Sequence, residues 1–250
     1  MPLNIINYTP LVENDGTITP LNRFIGNLRF GGEWQKEIQA QEKVISVLRK
    51  LLSDRFTLVR NFTLPDEEIP IPLLLISGSG VWLIAVTDIT GIFKTEGKEM
   101  LEMDSKKEEF VLRSPNLVMR TILMARAFEE FLLKHKITIP AIEPVLIFTN
   151  PGVDVTTSGD TNIRVLLIDA LNRFVSGLTM TPVRMEPGTT KKMIELIKYT
   201  YNKAQQPAKK KGKGLNLNFS PKQWLILVGM AFILILTIVL LFFLLLNLNG

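Results

Sequence analysis

Hydrophobic and polar positions along this chain fall into three patterns, and each predicts a different element. Over residues 33–54, EWQKEIQAQEKVISVLRKLLSD, the apolar Trp34, Ile38, Ile45, Leu48 and Leu52 recur at helical intervals and predict an amphipathic helix. Glu33 and Glu37 stand in its first turns and Arg49 and Lys50 in its last, as the helix dipole favours. Short continuous apolar runs follow: FTLVRNF (56–62), IPLLLIS (71–77) and VWLIAVT (81–87), the last two joined by Gly78-Ser79-Gly80. Runs apolar on both faces predict central strands covered on both sides. Further strands are expected in 91–103 and 108–113 around a turn at Gly97. A helix is expected over 115–136, with Leu117, Ile122, Leu123, Ala127, Phe131 and Leu132 inward, and then a buried strand at 144–150. Residues 164–168 predict a strand running into Asp169, an N-cap for DALNRFVSGL, and a last helix spans about 190–204. Residues 1–30, punctuated by Pro2, Pro10, Asn14-Asp15-Gly16 and Pro20, read as irregular with a short strand. Residues 156–161 read as a polar surface connection. This order predicts an α/β domain, a mixed sheet flanked by helices.

The third pattern is the run from Trp224 to Leu246, 23 residues without a charge. At about 1.5 Å of rise per residue a helix of that length spans a hydrocarbon core of roughly 30 Å, which predicts one transmembrane helix. Trp224 stands where an interfacial aromatic belongs. Lys203, Lys209, Lys210, Lys211, Lys213 and Lys222 precede the run with no acidic residue among them, and no charge follows it. The positive-inside bias therefore predicts a cytoplasmic N-terminal domain and a single-pass, tail-anchored topology. The expected division is an irregular extension (1–30), an α/β domain (31–204), a basic flexible tether (205–222), the transmembrane helix (223–246) and a short tail (247–250).

Charge changes this picture in one respect. The chain carries 29 basic and 24 acidic residues, a net +5. Without the six lysines before the apolar run, 23 basic and 24 acidic residues remain. The domain itself is thus near neutral, which argues against a nucleic-acid partner. The lysine run is either a segment drawn to anionic lipid head groups or a plain stop-transfer flank. The chain has no cysteine, which excludes disulfides, Cys-ligated zinc, iron–sulfur clusters and thiol catalysis. His135, the only histidine, lies in Lys134-His135-Lys136 at a helix end and reads as a solvated cap residue.

Several stretches carry a resemblance. Gly32-Glu33 opens the first helix, IPLLLISGSGVWLIAVTDITG forms a hairpin followed by Gly91, SPNLVMRTILMARAFEEFL is a helix opening on Pro-Asn, and EPVLIFTN is the next strand. Together, over about residues 30–150, they resemble the nuclease-related domain (NERD) family. The resemblance implies a restriction-endonuclease-like fold whose chemistry needs an acidic residue on the first hairpin strand and a Glu and a Lys two apart on the second. Spacing of two puts both on one strand face. There the carboxylates would hold Mg²⁺ and the lysine would help activate water. Aligned on the Gly80 turn, the three positions are Pro72, Ala85 and Thr87. Glu33 is retained, but alone it makes no metal site. Asp88, one past Thr87, points to the opposite face on a regular strand. The expectation is therefore a degenerate nuclease fold with no catalytic residue, metal or cofactor. It would act as a membrane-anchored scaffold or accessory subunit that holds a protein partner. The alternative is a membrane-tethered Mg-dependent nuclease, or a nucleic-acid-binding module, with relocated site residues. The former catalytic face around Pro72, Ala85 and Thr87 is expected to be filled by apolar side chains.

Overall fold

The computed structural model describes residues 2–12, 17–22, 25–26, 33–65, 67, 70–159 and 161–210, together with Gly229, Met230, Leu236 and Thr237. Residues 1–207 form one compact unit and residues 208–250 another.

The apolar runs become the middle of a six-stranded mixed sheet. Its strands are β1 (Asn4–Asn7), β2 (Phe56–Phe62), β3 (Ile71–Ser77), β4 (Gly80–Thr87), β8 (Glu143–Phe148) and β10 (Arg164–Leu167), in the order β1-β2-β3-β4-β8-β10. β2, β3 and β4 are antiparallel neighbours, whereas β1, β8 and β10 join in parallel. Every residue of β2 and β3 is buried, as strands covered on both faces require.

Side chains alternate between two cores. Leu73, Leu75, Trp82, Ile84, Val86, Val145 and Ile147 meet helices α1 (Glu33–Leu51) and α3 (Leu171–Met180). Leu74, Ile76, Val81 and Leu83 meet α2 (Leu117–Lys134) and α4 (Pro187–Lys210). Trp34, Ile38, Ile45, Leu48 and Leu52, the expected stripe of α1, are all buried. The face of α2 is rotated from the expected one. Val118, Thr121, Ile122, Ala125, Phe128, Phe131 and Leu132 point inward, while Leu123 is 53% exposed. This helix is apolar on more than one side, so contact with the sheet decides which side is buried.

Three further expectations are corrected. The segment after β4 does not extend the main sheet. β5 (Gly91–Glu96), β6 (Glu99–Asp104), β7 (Glu109–Leu112) and β9 (Val153–Ser158) form a second, four-stranded sheet in the order β7-β6-β5-β9. Gly97, at φ +57, makes the tight β5–β6 turn. The polar residues Thr156 and Thr157 are therefore strand residues, paired with Lys94 and Thr95, rather than a surface connection. Asp169 is not a side-chain cap: it lies in a 3₁₀ turn, Ile168–Ala170, and Ala170 precedes α3. The last helix also passes Ala204 and Pro207 and ends at Lys210.

Among the described residues no helix is long and apolar enough to cross a membrane. The expected transmembrane run, Trp224 to Leu246, lies outside them apart from the four residues named above, and so do Lys211, Lys213 and Lys222. Lys209 and Lys210 are the last residues of α4.

Candidate functional site

The β3–β4 register fixes where the three motif positions go. Leu74 faces Leu83 and Leu73 faces Ile84, so the next rung places Pro72 opposite Ala85. Pleat alternation then puts Thr87 on the same face as Ala85. Proline has no N–H to give a neighbouring strand and is tolerated only near strand ends or bulges. Pro72 is the second residue of β3, and Asn61, which falls in the gap of the β2–β3 register, adopts φ +52. β3 ends here, while β4 continues through Val86 and Thr87 paired to Ile147 and Phe148 of β8.

The step left by β3 is open. A cavity of about 440 Å³ is lined by Pro72, Ala85, Val86, Thr87, Asp88 and Leu146 of the sheet region, by Lys36 and Glu37 of α1, by Glu102 and Arg113 of the second sheet, and by Leu117, Arg120, Thr121 and Met124 of α2. The expected filling by apolar side chains holds only in part: Ala85 belongs to a buried apolar cluster with Val118, Ile122, Leu146 and Phe148, and a cavity remains beside it. Pro72, Ala85 and Thr87 are small, and polar side chains from three other elements line the space they leave. Asp88, one residue past the end of β4, lines the cavity together with Val86, and its carboxylate turns as expected to the α1 side of the sheet, where it meets Lys43. Glu33 opens α1, but its side chain lies outside the described residues.

The carboxylates of the cavity are each engaged separately. Asp88 accepts from Thr149 Oγ1 at 2.8 Å and from Lys43 Nζ at 3.2 Å. Burial pushes its carboxyl up, but these two hydrogen bonds and the charges of Lys43 and Lys36 hold it below its ordinary value. Glu37 keeps an exposed side chain, yet desolvation by the surrounding atoms raises its pKa against the opposing pull of Arg120. Glu102 is paired with Arg113, whose guanidinium lies 5.3 Å from the centre of the Phe93 ring. Inner-face residues of the second sheet position this pair: Phe93 faces Glu102, and the Arg113 N–H donates to Met100 at 2.9 Å. The Nε atoms of Arg113 and Arg120 are buried without an acceptor among the described residues.

Mg²⁺, the metal the resemblance implies, does not fit these donors. Pro72 and Ala85 offer no side-chain oxygen. Among the described residues no three His, Cys, Asp or Glu side chains are grouped to hold a metal ion. His135 caps the end of α2, where its Nδ1 lies 2.8 Å from the Phe131 carbonyl oxygen.

Lys36, Glu37, Arg113 and Arg120 are functional candidates that the sequence reading missed. Glu37 lies one helical turn beyond Glu33, and that spacing was the available signal. Nothing local marks the two arginines. A second cavity of about 410 Å³ lies at the other end of β4. There Glu143 accepts from Trp82 Nε1 at 2.9 Å and from Arg164 Nε at 2.5 Å.

Residues 36–149 match the family model of the nuclease-related domain (NERD), and this stretch of the chain is similar to that family. The match runs from α1 to the residue after β8 and contains every residue that lines the first cavity. The comparison with curated proteins gives no match, and neither does the comparison with solved structures.

Proposed function

We propose that this protein is a non-catalytic nuclease-related domain, anchored to a membrane by residues 224–246, that serves as a cytoplasmic-side scaffold or accessory subunit for a protein partner. The observation that carries this reading is the set of motif positions. Pro72, Ala85 and Thr87 share one face and one cavity and supply neither the carboxylates nor the lysine of the family's chemistry. The uncharged 23-residue run and the six lysines before it support the anchor and its orientation.

A partner surface is available on the second sheet. Its outer face carries Ile92, Leu101, Met103, Phe110 and Leu112, aligned by the registers Leu101 to Leu112 and Met103 to Phe110. Ile92, Phe110 and Leu112 are 48, 38 and 65% exposed. Apolar side chains grouped in this way mark interaction sites more often than scattered ones do.

A second reading, a nuclease with relocated ligands, has one observation in its favour: Lys36, Glu37 and Asp88 line the same cavity. Against it, Asp88 is held by Lys43 and Thr149, and among the described residues no three His, Cys, Asp or Glu side chains are grouped to hold a metal ion. The test is the full chain in mild detergent, incubated with Mg²⁺ or Mn²⁺ and single- or double-stranded DNA and RNA. No cleavage is expected. Cleavage that disappears in Asp88→Asn or Glu37→Gln would overturn the non-catalytic reading. For the scaffold, a partner identified by cross-linking in native membranes should be lost on Phe110→Ser with Leu112→Ser. Undiminished capture by that variant refutes the assigned surface.

A further inference from the structure

The cavity at the ends of β3 and β4 contains guanidinium groups with unsatisfied donors. The Nε of Arg120 on α2 is buried without an acceptor among the described residues. Arg113, on the facing sheet, uses one nitrogen for Glu102 and lies over Phe93, yet its Nε also lacks an acceptor. Buried donors are normally satisfied, and an exception calls for an explanation such as an absent ligand. The acidic neighbours do not supply one. Asp88 is occupied by Lys43 and Thr149, and Glu102 by Arg113. Glu37 attracts Arg120 through its charge but leaves the Arg120 Nε without an acceptor, and desolvation works against that charged form.

The rest of the cavity suits a ligand with two unlike ends. Leu117, Met124 and Leu146 give it an apolar wall. A volume of about 440 Å³ exceeds what an isolated inorganic ion needs and falls within the small-molecule range of roughly 300–1,000 Å³. At the positions where the family's chemistry calls for two carboxylates, the neutral Pro72 and Ala85 repel no anion.

We infer that this cavity binds a small-molecule oxyanion, with a phosphate or carboxylate head held by Arg113 and Arg120 and an apolar body against Leu117 and Met124. Guanidinium groups match either head through paired N–H donors. The inference rests on the non-catalytic reading in one respect: the ligand is bound and not cleaved.

The test uses the full chain in detergent with three probes: inorganic phosphate, phenyl phosphate and benzoate, each against sodium chloride at matched ionic strength. Phenyl phosphate or benzoate is expected to raise the melting temperature and to give a saturable titration, and the preferred head decides between phosphate and carboxylate. Inorganic phosphate should bind more weakly than phenyl phosphate, because it lacks the apolar body. Arg120→Gln should weaken binding at least tenfold, since it removes a charge-assisted contact, and Arg120→Lys should fall between. Ala85→Leu, which fills the cavity while keeping every charge, should also weaken binding and so serves if an Arg120 variant fails to fold. No stabilisation by either aromatic probe, or equal affinity in Arg120→Gln and Ala85→Leu, would overturn the inference. Release of phosphate from phenyl phosphate would instead refute the non-catalytic reading and leave the binding result intact.

Discussion

Two adjacent residues of β4, Ile84 and Ala85, should differ sharply in how much stability the same substitution costs. Ile84 is fully buried in the core beneath α1 and α3, whereas Ala85 lines the cavity. Ile84→Glu forfeits about 1.5–3 kcal/mol of side-chain burial. It also places a carboxylate among Leu73, Val86 and Val145, where an unpaired charge costs several kcal/mol more. The sum is comparable to the whole stability of a domain, about 5–15 kcal/mol. Ala85→Glu instead points its carboxylate into a space of about 440 Å³ that is lined by Lys36, Arg113 and Arg120. Its main cost is side-chain ordering, about 1 kcal/mol, which for a domain of this size lowers the melting temperature by about 2–4 °C. The assay is thermal unfolding of the full chain in detergent, followed by far-UV circular dichroism. Ile84→Glu should yield no cooperative transition. A loss of more than about 10 °C in Ala85→Glu would mean that the face is packed, and the reasoning about both the cavity and the motif positions would fall.

Two further outcomes follow from buried and half-buried charges. Arg60 is 2% exposed and donates to Gln41 at 2.7 Å and to the Ile38 carbonyl at 3.2 Å, besides its pairing with Glu42. Arg60→Ala should therefore cost about 3 kcal/mol, roughly 10 °C in melting temperature, while Glu42→Gln, at a side chain 39% exposed, should cost less than about 1 kcal/mol. Equal losses in the two variants would refute the assignment of the network to Arg60. Asp88 has a folded pKa below its ordinary value, so its ionised form contributes stability above the unfolded pKa and loses it as pH falls through the folded one. The wild type should accordingly melt above Asp88→Asn at pH 7, and the gap should close on acidification. A gap that is constant or widens in acid contradicts that sign.

The elements were legible where one physical demand governs a stretch. A continuous apolar run such as 71–77 can be satisfied only by cover on both faces, and the strand found has the expected ends. The stripe of α1 was equally unambiguous, because its polar residues leave only one side to bury. In α2, Leu123 and Phe128 are both apolar, and only the neighbouring sheet decides that Phe128 is buried and Leu123 is not. Arg60 and Asn61 look like solvent-facing residues in a strand pattern. Both are buried because Gln41 of α1 and Thr9 after β1 supply their partners from distant parts of the chain. The site was half legible for the same reason. Pro72, Ala85 and Thr87 follow from the family resemblance aligned on the Gly80 turn, and strand periodicity, which is local, puts Ala85 and Thr87 on one face. Arg113 and Arg120 reach the cavity through the turn of a second sheet and the axial position of a helix, which periodicity does not encode.

The position of the cavity separates the motif positions from the packing that holds the fold. Both cores of the main sheet are built from Leu73 to Ile76 and from Val81 to Ile84, inside the paired length of β3 and β4. The motif positions lie at the end of that length, where Pro72 is the second residue of β3 and Ala85 packs in a smaller apolar cluster beside the polar lining. A substitution there leaves the packing of Leu74, Ile76 and Leu83 untouched. The apolar framework of the sheet is therefore energetically separate from Pro72, Ala85 and Thr87, beside which Arg113 and Arg120 line the recess.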